Sequence, residues 1–170
     1  MNIGSSAPRT ALGVMLVALL LTACSREKES VDTAHLRDFA TRYTAAWCGR
    51  DAAGVAAFFA ADGSLQINGG TPSVGRTAIA YSAQDFMTAF PDLVVAMDTV
   101  SREPGTDERP GQAIYRWTLS GTNTGPDGTG RPVHISGYEE WTLGPDGLIA
   151  ASLGHFDAAD YDRQLQAGTE

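Results

Sequence analysis

The sequence predicts an α+β domain in which three helices precede an antiparallel sheet. Apolar residues recur every three to four positions up to Pro91 and every two positions after it. Two Gly-Pro-Asp-Gly strings, Gly125 to Gly128 and Gly144 to Gly147, fall between the alternating runs, where hairpin turns belong. The 170 residues are 43% hydrophobic and 19% charged, which is the balance of one ordinary core and too apolar for a disordered chain. The 19 Gly and 8 Pro follow no repeat, so the chain is not collagen-like.

From Asp32 to Trp47 the apolar positions Leu36, Phe39, Tyr43 and Trp47 predict an amphipathic helix that Gly49 ends. Asp51 suits the N-cap of a short second helix with Val55, Phe58 and Phe59 as its buried side, closed by Asp62-Gly63. Ile79, Ala83, Phe86 and Phe90 mark a third helix, and Pro91 stops it. Four consecutive antiparallel strands follow: Leu93 to Val100, Ala113 to Gly121, Val133 to Leu143 and Leu148 to Phe156. A further helix begins near Ala158.

The first 23 residues predict an export signal: Arg9, an apolar run from Ala11 to Leu21, then Leu21-Thr22-Ala23-Cys24. Eleven apolar residues at ~1.5 Å each span about half of a hydrocarbon core roughly 30 Å thick, too short for a membrane-spanning helix. The Leu-Thr-Ala-Cys string resembles the bacterial lipoprotein signal, which implies cleavage before Cys24 and a diacylglycerol on its sulfur. Residues 24–31 then form a polar tether and 32–170 the folded domain, a lipoprotein of the bacterial envelope facing the periplasm or exterior. Losing residues 1–23 removes Arg9 and no acid, so the formal charge goes from −8 to −9. That balance disfavours nucleic acid and leaves the lipid as the only membrane contact. With Cys24 acylated, Cys48 has no partner for an intrachain disulfide.

A series of local strings runs through the domain. They are Trp47-Cys48-Gly49-Arg50-Asp51, Phe58-Phe59-Ala60-Ala61-Asp62-Gly63, Phe90-Pro91-Asp92-Leu93, Ser120 to Gly125, Ser136-Gly137, Asp146-Gly147-Leu148-Ile149 with Asp157, and Arg163-Gln164-Leu165. Their order and spacing resemble the SnoaL-like polyketide cyclases of the nuclear transport factor 2-like superfamily, over about Leu36 to Gly168. The resemblance implies a cone-shaped fold with the helices on a strongly curved sheet. It also implies an Asp on the last strand as acid and base for an aldol closure. That position is Gly154 here, and a glycine moves no proton. Asn123 stands where many relatives have His. The resemblance therefore implies shape and leaves the reaction open.

Strand parity nominates other groups. Ile149, Ala151, Leu153, His155 and Asp157 share one parity, so His155 and Asp157 are expected side by side on the core-facing surface as proton-transfer candidates. A bulge near Gly154, or Asp157 acting as a helix cap, is the alternative. Glu139 shares the parity of Trp141 and Leu143, and with Trp47, Tyr115 and Trp117 it is expected to line a ligand pocket, flat or steroid-like in the shape it accepts. His35, His134 and His155 are far apart, the glycine runs lack a following helix, and no Gly-x-Ser-x-Gly elbow occurs, so no metal or cofactor is expected. The leading expectation is an envelope lipoprotein that binds a small, largely apolar molecule. The first rival is a lyase or isomerase, cyclase-like or ketosteroid isomerase-like, acting on a carbonyl compound. The second is an envelope interaction module that forms a homodimer through its outer sheet face.

Overall fold

The computed structural model describes residues 32–105 and 111–166. The signal segment, Cys24 and the tether lie outside the described residues. The chain divides into one unit of Met1–His35 and another of Leu36–Glu170, and the fold below is that of the second.

Helix α1 (residues 32–48) buries Leu36, Ala40 and Tyr43 along one stripe and stops at Gly49 and Arg50, where Arg50 takes a φ of 55°. Asp51 caps α2 (Ala52–Ala57) by accepting the Gly54 backbone N–H at 2.8 Å. The second helix is shorter than its apolar spacing predicts. Phe58 is its C-cap, and Phe59 opens strand β1 (Phe59–Ile67), so the pair expected on one helix face is split between two elements. Asp62 and Gly63 lie inside that strand, at a break in its pairing. A Cβ on Gly63 would stand 2.7 Å from the Ile149 carbonyl oxygen, so only glycine fits the crossing. A two-residue strand β2 (Ser73–Val74) and helix α3 (Arg76–Ala89) follow, with Phe90 as C-cap ahead of Pro91.

The four predicted strands are β3 (Val94–Glu103), β4 (Gln112–Thr122), β5 (Pro132–Leu143) and β6 (Ile149–Phe156), and α4 (Ala158–Gln166) ends the described chain. Both Gly-Pro-Asp-Gly strings are turns, closed by Gly128 N–H to Gly125 O at 2.9 Å and Gly147 N–H to Gly144 O at 3.0 Å. The sheet has six strands in the order β2-β1-β6-β5-β4-β3. It is not antiparallel throughout: β1 pairs with β6 in parallel, a return that the sequence pattern of consecutive hairpins did not announce. Register shifts in the β1/β6, β3/β4 and β5/β6 ladders bend and twist it. The helices α1 to α3 contribute Tyr43, Val55, Ile79, Ala83 and Met87 to one core with Phe59, Tyr115, Trp141 and Ile149 of the sheet.

Candidate functional site

On β4 and β5 the side chains alternate as the sequence predicts. Tyr115 pairs with Glu139 and Trp117 with Gly137, so these positions share the inner face. On β6 the alternation breaks. Leu143 pairs with Ile149 but Thr142 pairs with Ala151, which leaves Ala150 as an extra residue. One extra residue reverses every later side chain. Ser152 and Gly154 consequently turn inward and are buried, while Leu153 is exposed.

This corrects the expected placement of His155 and Asp157. The His155 ring lies on the outer face, stacked on Tyr138 with centroids 4.7 Å apart. Its Nε2 is 3.2 Å from Glu140 Oε1, at ion-pair distance but without hydrogen-bond alignment. Asp157 accepts the Asp160 backbone N–H at 2.9 Å and so caps α4. The two do not meet in a pocket. Asn123 orders its own turn, accepting the Thr129 N–H at 2.7 Å and donating to the Ala89 carbonyl at 3.2 Å.

Trp47, Tyr115, Trp117 and Glu139 do meet. They line one mostly apolar cavity between the helices and the inner face of the sheet, together with Phe86 and Phe156 among others. Its volume is about 60 Å³. A dry cavity of roughly 150 Å³ admits benzene, so a steroid-like ligand does not fit the cavity as it stands. Tyr43 and Phe58, the other aromatics of the early helices, serve the core instead, edge-on to each other at 5.5 Å.

Glu139 is 8% exposed and is the only carboxylate of the cavity wall among the described residues. Its Oε2 accepts Ser152 Oγ–H at 2.7 Å, Trp141 Nε1–H at 2.8 Å and Tyr43 O–H at 3.2 Å, whereas Oε1 has only the Tyr43 hydroxyl, at 3.3 Å. The single Tyr43 proton is shared between the two oxygens, so Oε2 carries the two strong bonds and Oε1 only that shared one. Burial raises the carboxyl pKa above the usual range, and the bonds from Trp141, Ser152 and Tyr43 pull it partly back. Burial also raises the phenols of Tyr43 and Tyr115, which stay neutral donors. Trp47 meets the Tyr43 ring edge-on at 6.3 Å, and Tyr115 O–H lies 2.8 Å from Thr44 Oγ1, whose own proton goes to the Ala40 carbonyl. The indole Nε1 of Trp117 is buried with no hydrogen-bond partner.

Gly154 is the rung partner of Glu139 and lines the same cavity. A Cβ there would make ordinary contacts, 3.5 Å to Gln66 O and 3.8 Å to Glu139 Cγ, so space alone does not forbid an acid at this position. The cavity holds its acid one strand away, on β5. The inward turn of Ser152 and Phe156 was masked by the bulge at Ala150, whereas Gly154 faces inward at the position where the resemblance puts the acid and near where the alternative reading put a bulge. Among the described residues no group of three His, Cys, Asp or Glu side chains is placed to hold a metal ion.

A family model described as SnoaL-like domain matches residues 40–152. No curated protein matches the sequence. Among solved structures, the chain is similar to a candidate SnoaL-like polyketide cyclase from Jannaschia sp. CCS1, at TM-score 0.66 and 14% identity over 80% of this chain and 94% of that one. It is also similar to a ketosteroid isomerase-like fold protein from Catenulispora acidiphila in complex with trimethylamine, at TM-score 0.63 and 16% identity over 75% and 91% of the two chains. A third neighbour is TsrD from Streptomyces laurentii, at TM-score 0.66 and 19% identity over 79% and 97%. At these identities the likeness is one of fold.

Proposed function

Because the chain belongs to the SnoaL-like domain family, whose α+β fold is open to ligand binding, isomerase-like and cyclase-like roles, we propose that it binds a compact carbonyl compound and moves a proton on it through Glu139. The observation that carries this reading is the half-satisfied carboxyl on the wall of an apolar cavity. Here Oε2 takes the Ser152 and Trp141 protons, Tyr43 shares its one proton between the two oxygens, and Oε1 has no other donor. Burial raises the carboxyl pKa above the ordinary range, which makes the ionised group a stronger base than a solvent-exposed carboxylate. The ionised carboxylate removes a proton from the carbon beside the carbonyl, and the C–H electron pair moves into the new C=C bond as the carbonyl oxygen takes the charge. Return of the carboxyl proton to a different carbon of the enolate completes an isomerisation without any other reactant, and exchange of that proton with solvent before its return exchanges the C–H hydrogens.

The experiment is proton exchange. The full chain in D2O with acetaldehyde, small enough for the cavity, should wash deuterium into the carbon beside the carbonyl, and Glu139→Gln should abolish this while leaving the fold intact. Wild-type rates equal to those of Glu139→Gln would sink the reading. Plain carriage of a small apolar molecule is the second reading, favoured by the lack of another carboxylate in the wall. Export and acylation at Cys24 are part of the proposal and rest on the Leu21-Thr22-Ala23-Cys24 string.

A further inference from the structure

We infer that Gly154 is the specificity-determining residue of this cavity, its missing side chain leaving a notch beside Glu139 that takes one methyl group of a small ketone or aldehyde. The inference rests on the Glu139 reading for the ligand class and adds what sets the ligand's size.

The notch follows from the strand ladders. Gly154 of β6 pairs with Ile67 of β1 on one side and with Glu139 of β5 on the other, and all three line the cavity. The middle member of that row carries no side chain. Along β6 it stands between Ser152, which gives its proton to Glu139 Oε2, and Phe156, which lines the apolar wall. A glycine inside a strand weakens it, and one that occurs there marks a bulge, a bend or the close approach of another group. Packing within the protein demands two of the sheet's glycines: a Cβ would stand 2.7 Å from the Ile149 carbonyl oxygen at Gly63 and 2.5 Å from the His155 carbonyl oxygen at Gly137. No such demand exists at Gly154. A Cβ there would lie 3.5 Å from Gln66 O, 3.8 Å from Glu139 Cγ and 3.9 Å from Ile67 Cγ1, and the backbone is outside the left-handed region. Neither ladder shifts register at this rung, so no bulge explains the glycine either. Alanine would fit the fold, which leaves the approach of a ligand as the use of the empty place. In a cavity of about 60 Å³ the room of one methyl group decides which molecules enter.

The test uses the full chain with acetaldehyde and acetone, which differ by one methyl group, and reads binding from the methyl resonances of Leu65 and Ile135 in the cavity wall. Gly154→Ala should melt at or above the wild-type temperature. It should weaken acetone about 10-fold, the weight of one methyl in a closed apolar site, while acetaldehyde stays within about threefold. Ile67→Val trims the side chain next to the added Cβ, so in the Gly154→Ala background it should return acetone to within about threefold of the wild type. Equal weakening of both probes, unchanged affinity for both, or a Gly154→Ala protein less stable than the wild type overturns the inference. Failure of Ile67→Val to restore acetone, or a wild type that binds neither probe, does the same. The two readings fail separately. A shift in selectivity with no Glu139-dependent deuterium exchange keeps Gly154 as the size filter and removes the proton transfer. Exchange that needs Glu139 but keeps its selectivity in Gly154→Ala removes the filter alone.

Discussion

Glu139 is one residue doing two jobs, and its two oxygens divide them. The Oε2 bonds tie α1 to β5 and β6, so losing a donor has an electrostatic as well as a structural cost. Ser152→Ala removes a bond that favours the ionised form. The Glu139 pKa should therefore rise further, visible as an upward move of its carboxyl carbon titration by NMR, and stability should fall by ~1–2 kcal/mol. A downward move would show that the Ser152 bond does not favour the ionised form. The wild-type pKa has its own consequence for stability. A carboxyl whose folded pKa is raised holds its proton more tightly when folded, so its stabilising share is complete below the ordinary range of about 4–4.5 and drains away as pH climbs through the raised value. Relative to Glu139→Gln, which cannot ionise, the wild type should lose stability across that window, measured by urea unfolding of both proteins at a series of pH values. A difference that is flat or grows with pH would show a lowered pKa instead. Glu139 was legible in the sequence because β5 alternates without interruption. The free N–H of Trp117 was not, since the sequence cannot tell which donors are already paired.

At the level of elements, the runs with clean periodicity are the ones the sequence reveals. Val133, Ile135, Trp141 and Leu143 sit where their parity puts them because nothing interrupts β5. β6 misleads because a single unpaired residue, Ala150, is enough to exchange its two faces, and Ala-Ala-Ser carries no local mark of a bulge. β1 misleads for another reason. Phe58 and Phe59 continue a helical spacing, yet burial of Phe59 in the sheet core and its parallel pairing with Ile149 outweigh that local preference. The α4 cap offers a direct check on the corrected face assignment. Asp157→Ala should cost ~0.5–2 kcal/mol through the lost bond to Asp160 N–H and leave Glu139-dependent exchange unchanged. Loss of exchange without loss of stability would return Asp157 to the chemistry. His155 belongs to the outer face with Tyr138, Glu140 and Arg116, whose guanidinium carbon lies 5.4 Å from the Tyr138 ring centre.

For the molecule as a whole, charge and anchoring make a coupled claim. An acidic chain at −8, or −9 without residues 1–23, is repelled by anionic lipid, and nothing in that balance holds it at a membrane. Two acyl signals are needed for lasting attachment, since one chain binds only marginally. Cys24 after Leu21-Thr22-Ala23 is where they would be added. In a bacterial host the wild type should incorporate labelled palmitate and sediment with membranes, whereas Cys24→Ser should take up no palmitate, and every copy whose leader is removed should appear in the soluble fraction. The same substitution leaves the cavity residues untouched, so Glu139-dependent deuterium exchange should survive it. Palmitate on Cys24→Ser would place the lipid elsewhere. Membrane retention of an unlabelled, cleaved Cys24→Ser protein would instead mean that a surface of the domain itself binds the membrane, against the sign of its charge.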